Sequence, residues 1–134
     1  MKTKMTMLFT FIVVFFIFSC ASTGSGKERA QDSWHGIYAG IIPAADASGI
    51  DVMIILRSDE TYVLIFNYID HEEDEFISSG KLKWDEEAKI ITLEEARFPP
   101  YYKVGKGTLT QLDIFGNEIT GMLAENYILR KVNS

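Results

Sequence analysis

Residues 51–69 read Asp51-Val-Met-Ile-Ile-Leu-Arg57-Ser-Asp-Glu-Thr61-Tyr-Val-Leu-Ile-Phe-Asn-Tyr-Ile69. Two runs rich in β-branched and aromatic residues, 51–57 and 61–69, flank the turn residues Ser58, Asp59 and Glu60. The pattern predicts two short antiparallel strands joined by a tight connection. Within the second run, Tyr62, Leu64, Phe66 and Tyr68 share one face, while Val63, Ile65 and Ile69 make the other face apolar too. Such a strand is expected to be buried on both sides, or to lie where a barrel wall meets a covering loop.

The same grammar extends in both directions. Further strands are predicted over 35–42, 76–84, 89–94, 101–104, 107–114, 118–123 and 127–132. Turn residues separate them, among them Asp85-Glu86-Glu87, Phe98-Pro99-Pro100, Gly105-Lys106-Gly107 and Phe115-Gly116-Asn117. Leu82 and Trp84 fall on one face of their strand, with Lys81 and Lys83 on the other. From Trp34 onward no segment of ten or more residues carries a 3.6-residue apolar period, so no crossover helices are available for a parallel sheet. The expected fold is all-β: a small antiparallel meander barrel of roughly eight strands, whose closure leaves no exposed edge.

The N-terminus has a different composition. After Met1-Lys2-Thr3-Lys4, residues 5–18 (MTMLFTFIVVFFIF) carry no charge and hold five of the nine phenylalanines. This 14-residue stretch falls short of the about 20 apolar residues needed to span a bilayer, whereas a basic start and a short apolar core are the parts of a secretory signal. The single cysteine, Cys20, follows Ile17-Phe18-Ser19. That placement resembles a bacterial lipoprotein lipobox, which implies cleavage before Cys20 and lipidation of its thiol. An ordinary signal peptide and an uncleaved anchor are the alternatives. The division expected is therefore 1–19 as signal peptide, 20–33 as a flexible small-residue tether, and 34–134 as the barrel. By the same resemblance, Ala21 and Ser22 match the outer-membrane sorting pattern, placing a lipid-anchored protein in the bacterial envelope.

Residues 1–19 hold two of the 13 basic residues and none of the 19 acidic ones, so the remainder carries a formal charge of about −8. That balance argues against nucleic acid as a partner and against an electrostatic grip on anionic lipid, so no nucleic acid is expected. No cysteine follows Cys20, so the domain has no disulfide and no thiol for redox or metal chemistry.

The folded region offers little that resembles catalytic machinery. It has no GxSxG, HExxH or phosphate-gripping glycine loop, and no cofactor is expected. Met53, Met122, His35 and His71 lack metal-ligand spacing. His35 is expected to hydrogen-bond locally. The cluster His71-Glu72-Glu73-Asp74-Glu75 lacks the spacing and glycine of a calcium loop and reads as a solvated acidic hairpin. Tyr101 and Tyr102, after two prolines, are expected at a rim with wet hydroxyls.

From Trp34 to Val132 the order of features resembles the N-terminal domain of the NlpE family, the copper-resistance and envelope-stress lipoproteins. The residues that carry the likeness include Trp34-His-Gly-Ile-Tyr38-Ala-Gly40, Pro43-Ala-Ala-Asp46-Ala-Ser-Gly49-Ile50, Leu56-Arg-Ser-Asp59-Glu-Thr61-Tyr62, Gly80-Lys-Leu-Lys-Trp84, Tyr102-Lys-Val-Gly105, Leu109-Thr-Gln-Leu112-Asp113, Gly116-Asn117-Glu-Ile119 and Tyr127-Ile-Leu129. The resemblance implies a lipocalin-like barrel and a non-enzymatic module working by contact with an envelope protein. The loop containing Pro43, Asp46 and Gly49, together with the barrel rims, is the expected contact surface. Family members often carry a CxxC pair in this loop, where positions 44 and 47 are alanine here. Copper chemistry built on that pair is not expected, nor is the second domain of longer members. A lipocalin-like barrel that holds a small apolar ligand is the alternative reading.

Overall fold

In the computed structural model, which describes residues 33–71 and 75–132, the 51–69 stretch forms a hairpin. Its strands are β2 (Ile50–Leu56) and β3 (Thr61–Tyr68), paired antiparallel from Ile50↔Tyr68 to Leu56↔Tyr62. The Asp59 carboxylate accepts the Thr61 hydroxyl and backbone N–H, which closes the turn. The other strands are β1 (Gly36–Ile42), β4 (Glu75–Asp85), β5 (Ile90–Leu93), β6 (Tyr101–Gly105), β7 (Thr108–Gln111) and β8 (Ile128–Lys131). A 3-10 turn, Ala124–Tyr127, precedes β8.

Each strand pairs antiparallel with the next, and β8 returns to β1 through Tyr38↔Lys131 and Ala39↔Arg130. The result is the closed all-β meander expected from the sequence, with every strand edge paired. Inward positions alternate along the strands. On β2 they are Ile50, Val52, Ile54 and Leu56, and on β3 Tyr62, Leu64 and Phe66. With Tyr38, Leu82, Ile91, Leu93, Tyr102, Leu109 and Leu129 they form one continuous buried cluster through the barrel interior. Lys81 and Lys83 point outward and Leu82 inward, as their alternation requires.

A meander has two ends. The connections β2–β3, β4–β5 and β6–β7 lie at the end where the chain enters from residue 33. Trp34 plugs this end: it packs on the core with its ring centroid 6.1 Å from that of Trp84. Its carbonyl accepts the Tyr38 hydroxyl at 3.0 Å, and burial pushes the Tyr38 phenol up to about 12. Lys131 Nζ donates to the Ser33 carbonyl at 2.8 Å, tying the last strand to the entry. His35 hydrogen-bonds locally to Ser33, as expected.

Three expectations need correction. Residues 118–123 form no strand: only Glu118 makes a bridge, to Leu112, before Gly121 turns the chain at φ 104° into the 3-10 turn. The preceding strand accordingly ends at Gln111 rather than 114. Next, β3 is buried on one face only, since Val63 and Ile65 are half-exposed and Ile69 is exposed. Finally, Tyr102 is inside. Its register neighbours Ile91 and Gln111 are both buried, so the pleat carries its ring into the core, and its hydroxyl has no hydrogen-bond partner. Burial raises its phenol well above the usual tyrosine range.

Candidate functional site: the rim opposite the chain entry

The connections β1–β2, β3–β4, β5–β6 and β7–β8 gather at the far end of the barrel. They are longer than those at the entry end, and they carry the surface that needs explaining. Two carboxylates organise it. Asp70 accepts the Ser48 backbone N–H at 2.6 Å and its hydroxyl at 3.0 Å, and Ile69 N–H donates to the Gly49 carbonyl. The β1–β2 loop is thereby pinned to the β3–β4 loop. The Ser48 N–H, followed by its hydroxyl, holds Asp70 below the usual carboxylate range.

Asp113 does the same for the β7–β8 connection. Its Oδ1 accepts the N–H groups of Phe115 and Asn117, both at 2.8 Å, an Asx-type turn that fixes a tight loop. Those donors, Asn117 foremost, lower the Asp113 pKa. The turn holds Ile114 and Phe115 outward, 66% and 80% exposed. Met122 and Leu123, in the same connection, are exposed too. Lys103 donates a hydrogen bond to Glu118 beside the turn, and that bond, followed by the ammonium charge, lowers the Glu118 pKa.

Between these loops an aromatic cluster closes the barrel mouth. Phe66 stacks on Phe76 with centroids 5.0 Å apart and meets Phe98, from the β5–β6 loop, at 4.7 Å. Tyr68 meets Phe76 edge-on. The rim is therefore a floor of rings with two carboxylate-pinned loops standing over it.

Of the expected contact residues, Asp46 is exposed at the loop tip, Pro43 is half-buried, and Gly49 is buried beneath Ile41 and Ile69. The structure places them at the same end as Ile114 and Phe115, which sequence reasoning assigned to a strand and a turn. The available signal was Asp113 followed by Gly116 and Asn117, a turn that strands two apolar residues at its tip. Cys20 and the acidic residues 72–74 lie outside the described residues.

The described residues do not fit a copper site. Met53 stands on the outer wall, Met122 in the β7–β8 connection, His35 at the entry end and His71 at the opposite one, so they share no centre. Ala44 and Ala47 supply no donor. Among the described residues no three His, Cys, Asp or Glu side chains converge as ligands would. A cleft of about 340 Å³ beside β3 and β4 is open to solvent. Its Lys83 and Glu94 pair with each other at 2.8 Å, and Asp59 is held by Thr61.

Fold and rim together define a small lipocalin-like meander barrel with a side-chain-filled interior and a loop-built face at one end. Residues 38–122 match the NlpE N-terminal domain, and the chain belongs to that family. It is 28% identical to Lipoprotein NlpE of Escherichia coli over 103 residues, 76% of this chain and 41% of the relative. The chain thus spans about two-fifths of the curated relative it matches. Among solved structures, a candidate lipoprotein from Shewanella oneidensis superposes with a TM-score of 0.67 at 39% identity, covering 78% of this chain and 94% of that one. The Cpx pathway activator NlpE from Escherichia coli superposes at 0.54 with 28% identity, covering 74% and 52%.

Proposed function

We propose that this chain is the barrel of a lipid-anchored bacterial envelope protein, held through Cys20 with residues 20–33 as a tether. In this reading it acts by protein contact through the rim opposite the chain entry. The observation that carries the reading is the pair Ile114 and Phe115, held in solvent by the Asp113 turn at the end farthest from the entry. Exposed apolar residues on an ordered turn are poor for solubility, and they suit a partner that covers them. Membership of the NlpE family, whose Escherichia coli relative NlpE is a Cpx pathway activator, supports an envelope-stress role. The barrel interior favours contact over ligand storage, because Tyr38, Tyr62, Leu64 and Tyr102 occupy the space a small apolar ligand would need.

The test is a chromosomal envelope-stress reporter in cells overproducing the full chain. Induction is expected, and Ile114→Asp with Phe115→Asp should remove it while the protein remains membrane-bound and folded. Undiminished induction by that variant would contradict the rim as the contact surface.

A further inference from the structure

The outer wall of β1–β4 bears two rows of apolar side chains. One is Ile37, Ile55 and Val63, ending at Ser79; the other is Ala39, Met53, Ile65 and Ile77. Ile41 and Val132 extend the patch at its β1 and β8 side. Ile77 is 64% exposed and Ile41 61%, and the patch as a whole presents roughly 500 Å² of apolar side chain, the size of the largest patch on a typical monomer. Its borders differ in charge. Toward the chain-entry end the next outward row holds Arg57, Thr61 and Lys81. Toward the opposite rim it holds Asp51, Asn67 and Glu75. In the turn beyond Arg57, Glu60 is exposed and Asp59 is turned back onto Thr61.

We infer that this wall is a self-complementary interface and that its partner is a second copy of the chain. A twofold axis across the strands, at the level of Ile54, Leu64 and Ser78, lays one apolar row on the other. It sets Ile55 against Met53 and Val63 against Ile65 of the second copy. The same rotation sets Arg57 against Asp51, Thr61 against Asn67 and Lys81 against Glu75, so each basic row meets an acidic one. Packed sheets cross at about 30°, which keeps these rows in contact near the axis. With its charged borders the wall approaches the about 800 Å² that one partner of a stable dimer contributes. Such an isologous contact leaves both rims free.

The test uses the full chain in its native membranes with a zero-length carbodiimide, which couples an amine to a carboxylate in direct contact. A Lys81–Glu75 cross-link is expected. Within one chain these residues lie six positions apart on one strand, roughly 20 Å, so the link reports a second copy. Purified Lys81→Glu and Glu75→Lys should each weaken dimerisation about tenfold or more in sedimentation, because the twofold repeats each like-charge contact. The double variant should restore it, and circular dichroism should be unchanged throughout. A monomeric mass with no such cross-link would overturn the interface. So would single swaps without effect, a double swap no better than the singles, or burial of Ile77 by lipid or another protein instead.

Discussion

The Asp70 carboxylate receives both the backbone N–H and the hydroxyl of Ser48, joining loops 22 residues apart in sequence. Ser48 follows the Asp46 tip of the β1–β2 loop, so one exposed side chain sets the position of that tip. Asp70→Ala should leave the melting temperature little changed while amide exchange at Ser48 and Ile69 accelerates. Equal exchange in the two proteins would mean the loop is held by something else.

The same carboxylate, with Asp113, sets a pH dependence. Both have folded pKa values lowered beneath the ordinary range, so each contributes order that is complete above its unfolded pKa of about 3.9. That contribution is lost as pH falls through the folded value. Amide resonances of residues 43–49 and 113–117 should hold steady between pH 5 and 8 and broaden only under stronger acid. A transition near neutrality would refute the assignment.

Two tyrosines in one core should respond in opposite directions to loss of their hydroxyls. Tyr62 donates to the Glu94 carbonyl at 2.7 Å, and Tyr62→Phe should cost about 0.5–1.5 kcal/mol. The Tyr102 hydroxyl is buried without a partner, so Tyr102→Phe should be neutral or stabilising by up to about 1 kcal/mol. Urea unfolding of the two variants measures the contrast.

Neighbouring residues on β3 should differ sharply. Leu64 is fully buried, and Leu64→Ala should cost about 2–5 kcal/mol through lost burial and a cavity. Ile65 faces the outer wall, and Ile65→Ala should cost under about 1 kcal/mol to the monomer. Equal costs would mean that β3 is covered on both faces.

Gly49 is held by contact as well as conformation. A Cβ there would lie 2.8 Å from Ile41 Cγ2 and 3.2 Å from Ile69 Cδ1, at φ 156°. Gly49→Ala should therefore destabilise by about 1–3 kcal/mol, a shift that thermal unfolding would register.

The barrel was legible in the chain because short runs rich in β-branched and aromatic residues recur between turn residues such as Ser58-Asp59-Glu60 and Gly105-Lys106-Gly107. The loss of strand at 118–123 was not, since Glu118-Ile119-Thr120 has strand-like composition and the break depends on Gly121 adopting a positive φ. Tyr102 was misplaced because local composition says nothing of which way a short strand's pleat faces the barrel. The apolar outer face of β3 looked like double burial, because an exposed Ile65 and a buried one are the same letter. Ile114 and Phe115 form a surface because the two hydrogen bonds of the Asp113 turn hold them outward, and composition does not show those bonds.

The proposed function requires the rim opposite the chain entry to meet an envelope protein. Photo-cross-linking residues placed singly at Asp46, Phe115 and Lys106 in living cells would read that contact, Lys106 being exposed in the β6–β7 turn at the entry end and away from the β1–β4 wall. A common adduct from Asp46 and Phe115, and none from Lys106, is the expected result. An adduct from Lys106 alone, or silence from both rim positions, would contradict the rim as the contact surface.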